Sequence, residues 1–480
     1  MTVRRGRAFP WLAVAIALST LARPALAFPV NGANTVLPVG TELNEDAIDQ
    51  PTEIFHSEAM GGKKSYLDNL GDMAFSSPFI LGGPARRTGL NCGTCHVNGA
   101  SNPKLYIPGM SARPGTFDTT GPFFEPSADN GTLDPVTIPS LRGVKYLAPY
   151  GHDGRIASLR DFVHSVIVNE FAGPEPAPNI LDAIVVYLQD IDFLSNPLLG
   201  PGGKLKTKAS DAARRGEALF AKPFSGAPSM SCATCHIPSS LFVDHRQHDV
   251  GTGGWFKTPT LINADFNAPY FHDGRFTNFA EVVAYFDRFF GLKLGAADQQ
   301  DLVAYLEAVG GGEHPVTPDG VDPELIEIRD FSSVLATAIP AQDKAVIALT
   351  ADTVGGELRE FSEHFPDRMD TTVSGGQEER ARARAALKTL VLSLRKIETA
   401  SSSGDFAAAA GEYKSYSERL AKITPTLKAA EPWSLYNPVV HDAHYAALRR
   451  MVETATRTPR GAQAASAQSE AQPRQEQQLP

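Results

Sequence analysis

Three shortages in the sequence narrow the choice of function. Basic residues number 44 against 54 acidic residues, and the resulting formal charge of −10 argues against a nucleic-acid partner. After residue 27, no stretch is long and apolar enough to cross a bilayer, so we expect no transmembrane segment in the mature chain. Cysteine is limited to four residues, and all of them fall in two short segments.

Both segments have the pattern Cys-X-X-Cys-His, and together they contain Cys92, Cys95 and His96, and Cys232, Cys235 and His236. Residues three and four apart lie on one face of a helical turn. Two thiols placed in this way can bond the two vinyl groups of a haem, while the imidazole binds the iron. The pattern predicts two covalently attached haem c groups, with the two histidines as proximal iron ligands.

Other interpretations of the cysteines are weaker but remain open. A thioredoxin-like Cys-X-X-Cys needs neither a following histidine nor a second copy. A zinc ribbon normally brings its two cysteine pairs much closer in sequence, although a long loop between Cys95 and Cys232 could still fold them together. Two short disulfides are also compatible with the composition.

The first 27 residues have the pattern of a signal peptide. Three arginines lie in the first seven residues, an apolar stretch begins at Trp11, and Ala25-Leu26-Ala27 is a typical cleavage site. We therefore expect a mature chain that begins at Phe28 and a periplasmic location. Loss of the four arginines in this segment makes the mature chain more acidic still, which is compatible with a small basic redox partner.

An internal repeat follows each haem motif. Residues 138–155 and 258–275 share a Pro-X-Leu segment and an Ala-Pro-Tyr-X-His-Asp-Gly-Arg turn, with the proline 13 positions before the histidine in each copy. Amphipathic helices are predicted after both turns, at 159–169 and 279–289. We expect His152 and His272 to share a haem-related role, with the neighbouring Arg155 and Arg275 able to contact propionates.

The predicted fold is mainly α, with two tandem cytochrome c-like domains followed by a helical extension. Helical patterns at 378–397 and 406–423 predict an α-hairpin in the extension, and a last helix is expected at about 440–457. The expected divisions are a signal peptide at 1–27, an N-terminal haem domain at 28–200, a C-terminal haem domain at 201–315, the extension at 316–460 and a disordered tail at 461–480.

Residues 55–312 resemble the bacterial di-haem cytochrome c peroxidase and MauG superfamily. The resemblance rests on the tandem haem motifs and is closest in the second half, where His248-Asp-Val-Gly-Thr-Gly-Gly, Lys257-Thr-Pro-Thr-Leu and Ala268-Pro-Tyr-Phe-His-Asp-Gly-Arg follow one another. It implies reduction of hydrogen peroxide at the first haem, with electrons delivered through the second haem from a small cytochrome or cupredoxin. It also implies a calcium ion between the domains, whose ligands the sequence does not identify.

At the first haem the chain departs from the peroxidases. The superfamily places a glutamine and a glutamate around the peroxide pocket, and alignment on the Asp-Gly-Arg turn puts Tyr150 and Arg160 at those positions. Asp161 is the nearest alternative acid, and His164 is a candidate distal ligand or proton donor, or simply a hydrogen-bonded helix residue. Met110 is a candidate sixth ligand, although we favour the interpretation of a loop methionine packed on the porphyrin.

At the second haem the expected sixth ligand is also replaced. The superfamily has a methionine or tyrosine fourteen residues after the turn histidine, where this chain has Phe286, which cannot bind iron. Tyr285 is one residue away and becomes the candidate ligand. Three functions follow from these observations: a peroxidase, an electron-transfer cytochrome without peroxide turnover, and a MauG-like enzyme that oxidises a partner protein.

Overall fold

The computed structural model describes residues 37–44, 50–59, 61, 64–120, 129–367 and 375–457, and it is mainly helical, as predicted. The expected signal peptide and the expected tail lie outside the described residues. Strand structure in the described part is confined to two antiparallel pairs, β1 (Thr116–Phe117) with β2 (Val136–Thr137) and β3 (Gln247–His248) with β4 (Phe256–Lys257). Within these same ranges, no helix has the length and apolar character that a membrane span requires.

The helices follow the order that the sequence repeat implies. Residues up to 200 contain α1 (His56–Ala59), α2 (Tyr66–Phe75), α3 (Gly83–Thr88), α4 (Cys92–Cys95), α5 (Leu159–Ser165) and α6 (Pro178–Asp190), with a π-helical turn, Val166–Glu170, directly after α5. Residues 201–315 contain α7 (Asp211–Ala221), α8 (Cys232–Cys235), α9 (Phe279–Phe290) and α10 (Ala296–Gly310). The remainder contains α11 (Val321–Ser333), α12 (Leu335–Ala338), α13 (Lys344–Glu363), α14 (Gln377–Ser403), α15 (Phe406–Lys422), α16 (Thr424–Ala430) and α17 (Pro438–Arg457). Short 3-10 turns occur at Val97–Gly99, Val144–Tyr146, Pro201–Gly203, Pro238–Ser240, Ala264–Phe266 and Glu431–Trp433.

Two helix pairs, each with one helix before a Cys-X-X-Cys-His motif and one after the repeat segment that follows it, pack in the same way. In the first pair α2 crosses α6, and in the second α7 crosses α10. Each crossing depends on a glycine: a Cβ atom on Gly71 would collide with the carbonyl of Ala183, and one on Gly216 would collide with the carbonyl of Asp301. Glycine is required at both positions because the helix backbones approach closely enough to exclude a side chain.

Two aromatic rings at each site connect the helix pair to the histidine of the Cys-X-X-Cys-His motif. Phe75 lies 5.2 Å from Tyr187 and 6.4 Å from the ring of His96, measured between ring centroids. At the second site, Phe220 lies 4.9 Å from Tyr305 and 6.4 Å from the His236 ring. The helix crossings therefore hold the two motif histidines in equivalent surroundings.

The C-terminal helices α11 to α16 pack on the first haem segment, which comprises the described residues up to 200 and contains Cys92, Cys95 and His96. The second haem segment, residues 201–315, contains the other cysteine pair. One continuous core includes Leu70 and Tyr187 together with Leu325 and Val354 of the C-terminal helices, whereas a second core is formed by residues 220–309. The hydroxyl groups of Thr353 and Ser77 are 2.8 Å apart across this contact. The predicted α-hairpin is confirmed as α14 and α15, and the predicted last helix as α17.

Candidate haem sites

The two cysteine pairs lie on single helical turns, α4 and α8, that are capped in the same manner. Asn91 accepts the backbone N–H of Thr94 at 2.9 Å, and the Thr94 hydroxyl accepts the N–H of Asn91 at 3.2 Å. In the second copy the Ser231 N–H donates to the Thr234 hydroxyl at 2.8 Å. This capping-box arrangement explains the threonine before the second cysteine of each motif. All four cysteines are free thiols, so the two-disulfide interpretation does not describe this structure.

The motif histidines are oriented by backbone carbonyls. Nδ1 of His96 lies 3.2 Å from the carbonyl oxygen of Ala100, and Pro139 of the repeat provides a second carbonyl. His236 has the equivalent partners Phe242, at 3.2 Å, and Pro259. A hydrogen bond at Nδ1 leaves Nε2 as the free ligand atom.

Burial sets the protonation state of these donors. It lowers the pKa of His96 to about 4 and also lowers that of His236, so both imidazoles are neutral, as iron ligands must be. It raises the pKa of the Cys92 and Cys95 thiols to about 12, so neither is a thiolate at neutral pH. Two neutral thiols and one neutral imidazole on one turn fit a haem c, and the same set occurs twice.

A separate metal site receives little support. Among the described residues, one group brings three potential ligand atoms within 4.8 Å of one another, namely Cys235, Asp244 and His248. Cys235 belongs to the second haem motif, and thiol and imidazole groups are not the oxygen ligands that calcium prefers. The expected calcium ion therefore stays a prediction without assigned ligands.

The two repeats contact each other reciprocally through their histidine turns. The backbone N–H of Thr137, the last residue of β2, donates to the carbonyl of His272 at 2.8 Å. The N–H of Lys257, at the matching position of the second hairpin, donates to the carbonyl of His152 at 2.8 Å. The His152 ring also contacts the Thr137 carbonyl at 2.7 Å. The backbones of the two histidine turns therefore join the two repeats.

The side chain of Lys257 adds an asymmetric element to this interface. Its Nζ donates to the carbonyls of Leu147 and Pro149, both at 2.8 Å, and lies 5.9 Å from the centre of the Tyr150 ring. Burial lowers the pKa of Lys257 to about 8. A side chain from the second repeat thus supports the turn that carries Tyr150 in the first.

We expect Lys257→Met to destabilise the folded protein by about 1–2 kcal/mol, because it leaves two half-buried carbonyls without their donor. Chemical denaturation followed by circular dichroism would measure the change. Lys208→Met, at an exposed position, is the matched control and should stay within about 0.5 kcal/mol of the wild type. Equal stability of the two variants would contradict a structural role for the Lys257 contacts.

The residues predicted for the first distal pocket do not all lie together. Tyr150 is buried and its ring is 6.1 Å from that of Phe162 on α5. Arg160 is exposed, and its Nε donates to Asp182 at 2.6 Å. Asp161 is also exposed, in the first turn of α5.

His164 faces outwards from the same helix. Its Nε2 lies 2.9 Å from a carboxylate oxygen of Glu175, whose side chain is 74% exposed. Met110 is buried, within the core of the first haem segment. The structure therefore gives Tyr150 a buried position, pairs Arg160 and His164 with surface carboxylates, and leaves Asp161 exposed.

An acidic residue that the sequence pattern did not reveal, Glu170, is linked to Tyr150 through the side chains of Arg155 and Phe162. Glu170 ends the π-helical turn after α5, and its carboxylate accepts a hydrogen bond from Nη2 of Arg155 at 2.8 Å. Burial raises the pKa of Glu170, while Arg155 and the Thr119 hydroxyl oppose that rise. The Arg155 guanidinium lies 5.6 Å from the centre of the Phe162 ring, which in turn contacts Tyr150. The only sequence signal was an acidic residue that ends an apolar helix.

The candidate ligand of the second haem is held by the backbone. The Tyr285 hydroxyl donates to the carbonyl of Val250 at 2.5 Å. Phe286 packs between Phe271 and Phe290, at 5.5 and 5.9 Å between ring centroids. Phe271 also contacts Tyr285 at 5.2 Å, so both candidate positions belong to one aromatic cluster.

Comparison with known families and proteins supports the predicted resemblance. Residues 210–305 match the family model described as di-haem cytochrome c peroxidase. A cytochrome-c peroxidase of Pseudomonas sp. (strain SCT), IdrP1, is 40% identical over 95 residues, which cover 18% of this chain and 24% of that protein. The gamma subunit of hydrazine synthase from Kuenenia stuttgartiensis is 29% identical over 142 residues, or 25% of this chain and 38% of that protein.

The matched region is limited in extent. The chain spans 38% of the length of the hydrazine synthase subunit and 24% of the length of IdrP1. A solved structure of Kuenenia stuttgartiensis hydrazine synthase covers 63% of this chain and 100% of the compared chain, with 19% identity and a TM-score of 0.38. The family-model match and the identity to IdrP1 confirm the resemblance to the di-haem peroxidase superfamily, and that family implies haem c as the cofactor.

Proposed function

We propose that this chain, whose residues 210–305 match the di-haem cytochrome c peroxidase family, is a periplasmic oxidoreductase with two cytochrome c-like domains that reduces hydrogen peroxide. The observation that carries the proposal is the duplicated donor set of two thiols and a carbonyl-oriented imidazole. Haem c, when bound there, supplies the redox chemistry. Cys92 and Cys95 would hold the first haem and Cys232 and Cys235 the second, with His96 and His236 on the iron.

The two haem sites have different surroundings, which favours different roles for them. The first has Tyr150 and the protonatable Glu170 in one cluster linked by Phe162 and Arg155. The second has the packed aromatic cluster around Tyr285 and Phe286. We assign peroxide reduction to the first haem, and receipt of electrons from a small cytochrome or cupredoxin to the second.

Glu170 is the proposed proton-transfer group. Reduction of hydrogen peroxide to two waters consumes two electrons and two protons, and the departing oxygen must be protonated. A half-buried carboxyl with a raised pKa can take a proton from the peroxide and return it to the departing oxygen. Arg160 cannot exchange protons in this way, because a guanidinium stays protonated.

Spectroscopy of the purified protein tests the function. We expect two covalent haems per chain and, after reduction by one electron, a five-coordinate high-spin haem in electron paramagnetic resonance and optical spectra that is lost on addition of peroxide. Two six-coordinate low-spin haems that ignore peroxide even when half-reduced would identify an electron-transfer cytochrome instead. Rapid peroxide reaction without oxidation of reduced cytochrome c or cupredoxin would favour MauG-like oxidation of a partner protein.

A further inference from the structure

Arg142 is a fully buried arginine whose hydrogen-bonding groups are only partly used. It is 1% exposed and follows Pro139 by three residues in the repeat segment. Its Nη2 donates to the carbonyl of Pro51 at 2.6 Å and lies 3.5 Å from that of Asn98. Its Nε and Nη1 have no hydrogen-bond partner among the described residues. Two N–H-bearing nitrogens of a buried cation are therefore left unsatisfied.

This arrangement is unfavourable unless an anion completes it. A buried charge costs several kcal/mol when it is neither paired nor fully hydrogen-bonded. Burial lowers the pKa of Arg142 only to about 10, so the guanidinium remains charged at neutral pH. The negative charge of Glu53 favours the protonated form of Arg142. However, the Glu53 carboxylate accepts a hydrogen bond from the Tyr187 hydroxyl at 3.1 Å and makes none with Arg142.

The position of Arg142 indicates which anion is expected. Pro139, on the same short segment, provides a carbonyl to the proximal histidine His96, and Asn98 lies two residues after that histidine. The guanidinium is also 6.0 Å from the centre of the Phe266 ring, which belongs to the second repeat. Arg142 thus lies beside the first haem motif, where it meets the other half of the molecule.

Other unpaired polar atoms gather at the same place. The carbonyl of Phe266 accepts hydrogen bonds from Gln50, at 2.9 Å, and Ser101, at 3.3 Å. Oε1 of Gln50 and Oδ1 of the neighbouring Asn267 are buried without a partner among the described residues. A carboxylate could satisfy Arg142 but not these two oxygens, because the carboxylate and both oxygens are acceptors; a water bound beside the carboxylate could donate to them.

We propose that Arg142 binds a propionate carboxylate of the first haem c. This inference rests on the proposed function, since it requires haem at Cys92 and Cys95. The second repeat has Ile262 at the matching position, so the second haem lacks the equivalent cation. A fixed positive charge beside one haem stabilises its reduced state, and Arg142 therefore raises the reduction potential of the first haem alone.

Reduction potentials of the haem-loaded protein test the inference. In Arg142→Gln we expect the equilibrium constant for reduction of the first haem to fall about tenfold, equivalent to ~59 mV for one electron. Arg142→Lys should cause a smaller fall, because it retains the charge with fewer donors. The second haem should be unchanged in both variants. Arg214→Gln, which removes a charge from an exposed pair with Asp211, should change neither potential.

Unchanged potentials in both Arg142 variants would overturn the inference. A crystal structure of the wild-type holoprotein provides a test that does not depend on either variant folding. A propionate oxygen within 3.2 Å of Nε or Nη1 would support the inference. A protein carboxylate such as Glu53, a chloride ion or water on both nitrogens would overturn it. Absence of covalent haem would instead contradict the proposed function itself.

Discussion

Glu170→Gln is expected to lower the rate of peroxide reduction by about two to four orders of magnitude, which is the usual contribution of a positioned proton-transfer group. Glutamine retains the size and the acceptor oxygen of glutamate, so its carbonyl can still accept from Arg155, but it cannot exchange a proton. Stopped-flow absorption of the half-reduced protein after mixing with peroxide would measure the reaction. Binding of other small ligands to the first haem should change far less than this rate.

The matched control for this substitution is Glu378→Gln on α14. That side chain is 86% exposed and remote from the repeat segments in sequence, and within the described ranges its one ion pair is a long contact of 3.7 Å with Arg382. We expect wild-type rates from it. If Glu170→Gln retains more than about a third of the wild-type rate, Glu170 is not the proton-transfer group, and the acid must be sought elsewhere in the first haem segment.

The same carboxyl gives the pH dependence a predictable direction. To accept a proton from peroxide, Glu170 must first be ionised, so activity should fall as the pH drops through its pKa. Burial raises that pKa above the ordinary range, and the ion pair with Arg155 holds part of the rise back. Arg155→Gln should therefore move the acidic limb of the pH–rate profile to higher pH. If the limb does not move, the pKa that it reports belongs to a group other than Glu170.

The two Cys-X-X-Cys-His motifs could be singled out from the sequence because the haem attachment proposed for them depends on adjacent residues. Cys92, Cys95 and His96 must share one helical turn, and that requirement is visible in the spacing. Glu170 could not be found in this way. It lies on a π-helical turn, which changes the register of the residues after α5, and its significance depends on Arg155, fifteen positions earlier.

For the helices of the C-terminal region as well, the sequence predicted the local structure but not the long-range contacts. Their apolar periodicity placed both ends of α15 and α17 to within two residues, whereas α14 continues to Ser403, beyond the predicted end at residue 397. Periodicity identifies an apolar face but does not name the surface that covers it. The packing of α11 and α13 on α2, which joins this region to the core of the first haem segment, became visible only in the structure.

Gly216→Ala should destabilise the second haem segment by about 1–3 kcal/mol or more, because the added methyl group meets the backbone carbonyl of Asp301, which cannot move independently of its helix. Separation of α7 from α10 would also disturb the Arg215 guanidinium, which binds both carboxylate oxygens of Asp301 at 2.7 Å. Phe220, four residues further along α7, contacts the His236 ring, so we expect the loss to include weaker support of the second haem ligand.

Urea unfolding of the holoprotein, followed by the Soret absorption of the haems and by circular dichroism, would measure this loss. Gly411→Ala is the matched control, because Gly411 also lies inside a helix but no atom lies within 4 Å of the position its Cβ would take. We expect that variant to be stabilised by about 0.5–1 kcal/mol, since alanine is the better helix former. Opposite signs for the two Gly→Ala changes would identify close helix contact, and not helix propensity, as the reason for glycine at position 216. Stabilisation of both variants would show that α7 and α10 can separate without cost, and the equivalent role of Gly71 at the first crossing would then fail as well.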